Sequence, residues 1–144
     1  MVSGDTFDTF SVSKLLTNSP KEMFSENYWL APHMSPAEFV LDLGSNKTVN
    51  MVELVNTHNG FGRDRSTKEF KVYISLSSSG PWNEVVHETL EDSRQQSDPL
   101  PVQTFPFSAD SEARYVKFNL ISWYGHGGGL QYFAVKKGEQ AIQI

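Results

Sequence analysis

The amino-acid sequence predicts an all-β protein, an antiparallel β-sandwich or barrel built as a single domain over residues 1–144. Three observations carry this expectation. Apolar and polar residues alternate in short runs, and each run ends in a glycine, proline, serine or asparagine turn. Aromatic residues make up 12% of the chain, with Phe 10, Tyr 5 and Trp 3, a composition suited to pleated sheets. Helical periodicity is almost absent, and seven or more short strands fit between the turn signals.

Residues 1 to 36 are poorly periodic, and Ser13 to Leu16 fits a short edge strand or a turn. Trp29, bracketed by Pro20, Pro32 and Pro36, reads as the aromatic anchor of an ordered loop. From Glu38 the period becomes two: Phe39, Leu41 and Leu43 share one face. Gly44 to Lys47 reads as a turn, and Val49 to Val55 as a second strand. A long polar connection follows. Phe70, Val72 and Ile74 then alternate with Lys71, Tyr73 and Ser75. Ser77 to Pro81 is a turn, and Trp82 to Leu90 is a fourth strand. Residues 91 to 101 are polar and turn-rich, so they read as a surface loop. Val102 to Phe107 is a fifth strand, with Pro106 marking an edge or an end. Arg114 to Trp123 is the longest alternation, with Val116, Phe118 and Leu120 inward. Gly125 to Gly129 breaks the pattern, and Leu130 to Lys136 closes the set.

Composition narrows the function classes. The net charge is −5 and the pI near 5.3, against the clustered basic surface that nucleic acid or an anionic membrane requires. With Cys 0, disulfides, thiol catalysis and thiolate metal sites are excluded. No apolar run reaches the roughly 18 residues of a membrane span. Met1 to Phe10 lacks the pattern of a signal peptide. The compartment stays open: cytoplasmic for the chain as it stands, extracellular if a signal preceded it. Asn46-Lys47-Thr48 is a glycosylation triplet of a kind that arises often by chance. His33, His58, His87 and His126 show no metal-ligand spacing, and there is no nucleophile elbow, Walker loop or dinucleotide fingerprint. Gly125 to Gly129 has no helix after it to serve a phosphate.

Two connections concentrate polar and aromatic groups. The first, Asn56 to Lys68, carries His58, Asn59, Phe61, Arg63 and Arg65. Planar donors and acceptors with an adjacent ring are what sugar hydroxyls and an apolar sugar face require. The competing reading is a loop that only ties itself down, with Asn59-Gly60 as a turn, Arg63 in a surface ion pair with Asp64 or Glu69, and Asn56 and Thr57 holding backbone. The second connection, Ser122 to Gly129, carries Trp123, Tyr124 and His126 among glycines that permit unusual backbone angles and close approach. Its aromatics suit a stacking platform or, alternatively, a cap on the core. In a sandwich the turns at one end cluster, so the two connections are expected to share a rim.

Phe39-Val40-Leu41-Asp42-Leu43-Gly44, followed by Lys47 to Asn50, resembles the signature of F5/8 type C (discoidin) domains. Arg65 to Ser75, Gly80-Pro81-Trp82, Ala113 to Phe118 and Gly129 to Val135 are similar to that family's later strands, and Trp29 stands where it has an early tryptophan. The resemblance covers about residues 11 to 138. It implies the galactose-binding-domain-like jelly roll and a role in binding rather than catalysis. In carbohydrate-binding relatives a histidine in the first loop and an arginine beyond it often contact the sugar, and His58 and Arg65 occupy comparable places. Many relatives carry a disulfide, which this chain cannot form. Many also hold a structural calcium. Here the corresponding loop reads Ser19 to Asn27 and the late ligand position is the neutral amide Gln131, so no cofactor is expected.

The function expected is a non-catalytic module recognising a galactose-type glycan through rim loops, with a glycan or glycoprotein as partner. The alternative is an intracellular protein–protein interaction module within a larger complex. Phe61 is the single apolar residue at an expected loop tip, too little for a lipid surface.

Overall fold

Two long strands organise the molecule. The computed structural model describes residues 2–7, 10–16, 28–97 and 99–142. Its strands are β1 (Val2–Gly4), β2 (Trp29–Leu30), β3 (Ala37–Asn56), β4 (Arg65–Thr67), β5 (Glu69–Ser75), β6 (Asn83–Thr89), β7 (Val102–Leu120), β8 (Trp123–Gly125), β9 (Gly129–Lys137) and β10 (Gln140–Ala141). β3 and β7 pair antiparallel from Ala37↔Leu120 to Val55↔Val102. Each serves two layers. The first half of β3 lies between β1 and β7, and the second half of β7 carries β5 and then β6 outside it. The second half of β3 lies between β7 and β9, with β10 beyond. The result is the expected antiparallel sandwich, joined at a corner where two strands pass from one layer to the other.

That corner corrects two readings. Gly44 to Lys47 does not reverse the chain, and Val102–Phe107 and Arg114–Trp123 are not separate strands. β3 runs through as 20 residues, with register shifts between Asp42 and Lys47 and between Val49 and Met51. β7 bends beside it as 19 residues. Gly44 takes φ 90, and its N–H donates to Asp42 Oδ1 at 2.8 Å. Arg114 forks onto the same carboxylate at 3.0 and 3.2 Å. A bulge looks like a turn locally; only the partner strand following the same bend distinguishes them. Val12–Leu16 forms a 3-10 helix in place of the expected strand or turn.

The core is aromatic and spans the layers. Phe118 and Phe39 stack at 5.1 Å, Phe118 and Phe70 at 5.3 Å, and Phe133 of β9 meets both Phe39 and Phe118 edge-on. Trp29 is fully buried against Phe39 and Phe118, and its Nε1–H donates to Asp5 O at 2.7 Å. The expected inward set, Phe39, Leu41, Leu43, Phe70, Val72, Ile74, Val116, Phe118 and Leu120, is buried throughout.

Surface carboxylates tie the sheet's outer face. Hydrogen bonds from Arg114, and then from the Gly44 N–H, hold the Asp42 carboxyl below the usual aspartate range. Arg94 does the same for Asp92, and Lys137 with Asn50 for Asp110. An aspartate with a depressed folded value stabilises fully above its unfolded value and loses that contribution as pH falls through the folded one. Stability should therefore decline with acidification below about pH 4. Asp42→Asn should flatten that acid limb in urea titrations across this range. An unchanged slope would show that the Asp42–Arg114 pair contributes nothing.

Candidate functional site

The connection after β3 is built from the inside. Asn56 is buried and uses its whole amide: Nδ2 donates to Ser66 Oγ and to Thr67 O, each at 3.0 Å, and Oδ1 accepts from the N–H groups of Thr57 and Thr67. Ser93 Oγ donates to Thr57 O at 2.6 Å, which uses its single proton, so the 2.6 Å Ser66–Ser93 contact is donated by Ser66. Thr67 Oγ1 donates to Gly129 O and accepts from Gly129 N–H. These bonds join residues 56–57, 66–67, 93 and 129. They also correct the reading of 91–101 as a plain surface loop, since Ser93 and Leu100 are buried.

The tip of the connection projects outward. Asn59 takes a left-handed conformation; its Oδ1 accepts from Tyr28 Oη at 2.9 Å, and its Nδ2 donates to Asp64 Oδ1 at 2.7 Å. A 3-10 turn over Gly60–Gly62 then carries Phe61, 89% exposed. Arg63 is exposed, and its Nη1 donates to Gln96 O at 2.9 Å and Arg94 O at 3.3 Å. Asn59 and Arg63 thus have structural partners, as the self-tied loop would have.

The expected shared rim is present. β4 pairs with β8, Arg65 opposite Gly125 and Thr67 opposite Trp123. Beyond that ladder, His126 N–H donates to Asp64 O, Ser66 N–H to Gly127 O, Met34 N–H to His126 O and Ala31 N–H to Gly128 O. Three segments distant in sequence are clasped backbone to backbone. The glycines allow it: a Cβ on Gly127 would stand 2.7 Å from Arg65 Nη1, and one on Gly129 would collide with Trp29 O.

The predicted contacts divide. His58 is 1% exposed and lies beneath the rim, so its place as a surface contact is corrected: the packing of residues 56–58 against 93 turns this part of the loop inward. Arg65 is 4% exposed. Its Nη1 donates to Ala31 O at 2.9 Å, its Nη2 lies 3.4 Å from His33 Nδ1, and its guanidinium sits 4.2 Å from the Phe7 ring centroid. Burial pulls its pKa below the ordinary arginine value, with the charge of Asp64 acting the other way. Trp123 and Tyr124 are half-buried. The Tyr124 hydroxyl donates to Leu90 O at 2.9 Å. His126 is exposed and stacks on His33, ring centroids 5.5 Å apart.

The accessible patch is therefore His33, His126 and Phe7 over Arg65, with Met34, 59% exposed, beside them. His33 and Phe7 are not placed at this rim by the sequence alone. Their signal was faint: a histidine between Pro32 and Pro36, just past an anchoring tryptophan, in a stretch without periodicity. Among the described residues no group of three His, Asp or Glu side chains could hold a metal. Gln131, the late position of the family's calcium site, is buried, and residues 19–27, the loop that would complete that site, lie outside the described residues.

The F5/8 type C domain profile matches residues 4–135. No curated protein sequence matches the chain. Among solved structures, chitosan-binding module 1 of a chitosanase/glucanase from Paenibacillus sp. IK-5 superposes with a TM-score of 0.71 at 19% identity, covering 95% of this chain and 94% of that one. The family 32 carbohydrate-binding module of C. perfringens NanJ, in complex with galactose, gives 0.72 at 13%, covering 94% and 91%. The family 32 module of AlyQ, in complex with 4,5-unsaturated mannuronic acid, gives 0.67 at 21%, covering 94% and 93%. These likenesses lie in the fold.

Proposed function

The chain belongs to the F5/8 type C domain family, and on that premise we propose that it is a non-catalytic carbohydrate-binding module whose sugar rests on the rim formed by His33, His126, Phe7 and Arg65. One observation carries the reading: four segments distant in sequence bring two exposed imidazoles, a partly open aromatic ring and a guanidinium to one place. Imidazole and guanidinium nitrogens hydrogen-bond hydroxyls, and an aromatic face receives the C–H face of a pyranose. Solved modules of the same fold were crystallised with galactose, chitotriose and an unsaturated mannuronic acid, which supports a sugar as the class of ligand. Repetition of the domain on a larger assembly would raise the affinity of a single site.

The test is a titration with galactose, chitotriose and mannuronate followed by NMR. Resonances of His33, His126 and Phe7 should move, and those of the opposite end, around Ser77 to Pro81, should not. His126→Ala should weaken binding about tenfold, the worth of one good hydrogen bond, with the melting temperature unchanged because the side chain is exposed. A titration to millimolar sugar that leaves the rim resonances in place would sink the reading.

A further inference from the structure

The rim has a sign. Arg65 is buried beneath it, and among the described residues no carboxylate pairs with Arg65, His33 or His126. Arg65 meets a carbonyl, a ring nitrogen and an aromatic face. Burial disfavours the Arg65 charge and Asp64 opposes that only in part, so an anion brought to the rim above it offsets the remaining cost. Three acids have hydrogen-bond partners other than Arg65. Asp64 Oδ1 accepts from Asn59 Nδ2 at 2.7 Å, Asp92 holds Arg94, and Asp5 Oδ2 accepts from Glu38 N–H at 3.3 Å.

Arg65 also settles what His33 presents. A guanidinium only donates, so in the contact of its Nη2 with His33 Nδ1 the imidazole nitrogen is the acceptor and carries no proton. The ring proton then sits on Nε2, at the opposite edge of an exposed side chain. His33 accordingly turns a donor, and no free acceptor, to the rim. A neutral sugar hydroxyl both donates and accepts; a carboxylate only accepts, and it accepts more strongly because it is charged.

We propose that the ligand of this rim is an acidic sugar, a hexuronic acid, whose carboxylate lies across the His33–His126 pair above Arg65 while its ring packs beside Phe7. This rests on the carbohydrate-binding reading and narrows it to a substrate class. The Coulomb part acts over the partly exposed patch and is therefore screened by salt.

The experiment is calorimetric titration of the wild-type domain with galacturonate, its C6 methyl ester and galactose, at low and at high salt. Galacturonate should bind about tenfold more tightly than the ester or galactose, the difference expected of one charge-assisted hydrogen bond over a neutral one, and the advantage should shrink at high salt. Equal affinities for the acid, the ester and galactose would overturn the acidic-sugar inference and leave the carbohydrate-binding reading standing. No heat or rim NMR shift with any sugar would overturn both. In His126→Ala the galacturonate advantage should fall several-fold while the fold stays intact; an advantage kept in full would place the carboxylate elsewhere and overturn the site.

Discussion

Phe118→Ala is expected to remove about 3–5 kcal/mol of stability, the largest effect of any single truncation in this domain. The ring is fully buried and, among the described residues, is the one aromatic that meets Trp29, Phe39, Phe70 and Phe133 together, at centroid distances of 6.0, 5.1, 5.3 and 5.7 Å. It lies on the half of β7 between β3 and β5, and its contact with Phe133 crosses to the other layer. Two sheets held in register by backbone bonds cannot collapse freely into the space left behind, so the cavity penalty adds to the lost transfer energy. A domain with total stability of about 5–15 kcal/mol then stands close to unfolding. Urea denaturation should show a midpoint well below wild type with an unchanged slope. A loss under about 1 kcal/mol would mean that the cluster repacks around the gap and is not held by the sheet.

Asn56→Asp is expected to cost about 2–5 kcal/mol at neutral pH, although it changes one side-chain atom. The two amide protons that reach Ser66 Oγ and Thr67 O are replaced by a carboxylate oxygen facing the same groups, with Glu91 O 3.4 Å from that position. Ser66 cannot turn to help, because its own proton is committed to Ser93, whose proton is committed to Thr57 O. Burial and carbonyl repulsion raise the new carboxyl's folded pKa. A raised acid binds a proton more readily when folded, so the variant should recover stability relative to wild type as the pH falls through that value. Thermal melts at about pH 4 and pH 7 check the sign. A deficit that stays constant or grows at acid pH would exclude a buried carboxylate as the cause. Because this network joins the 56–67 connection to Gly129, rim resonances should broaden in the variant even where the β-sheet ones persist.

What was legible in the sequence follows from what is local. The alternations at Phe70 to Ile74 and Val116 to Leu120 could be read because one face is buried and the other wet, and a side-chain period of two survives in any topology. The β3–β7 corner was not legible, since Gly44 to Lys47 has turn composition and its continuation depends on a strand far along the chain. At the site, the glycine run was readable as a place of close approach, and Gly127 and Gly129 bear it out. The inward burial of His58 was not, because a polar loop does not reveal in sequence which side meets Ser93. Phe7 and His33 reach the rim through backbone bonds to Leu30 and through Met34 to His126, contacts that leave no periodic trace.

The two bent strands also set a clock. Ala37 must find Leu120, and Asn56 must find Leu130, before either layer has its neighbours. Such distant pairings put the domain among slow folders, in the millisecond-to-second range, because loop-closure entropy is lost before contacts reward it. A chain emerging from the ribosome has His33 and Arg65 early, but it has neither His126 to stack nor Gly127 to clasp until about sixty residues after Arg65. During that interval β3 and β7 expose long hydrogen-bonding edges, and it is then that the nascent chain most needs shielding from its neighbours.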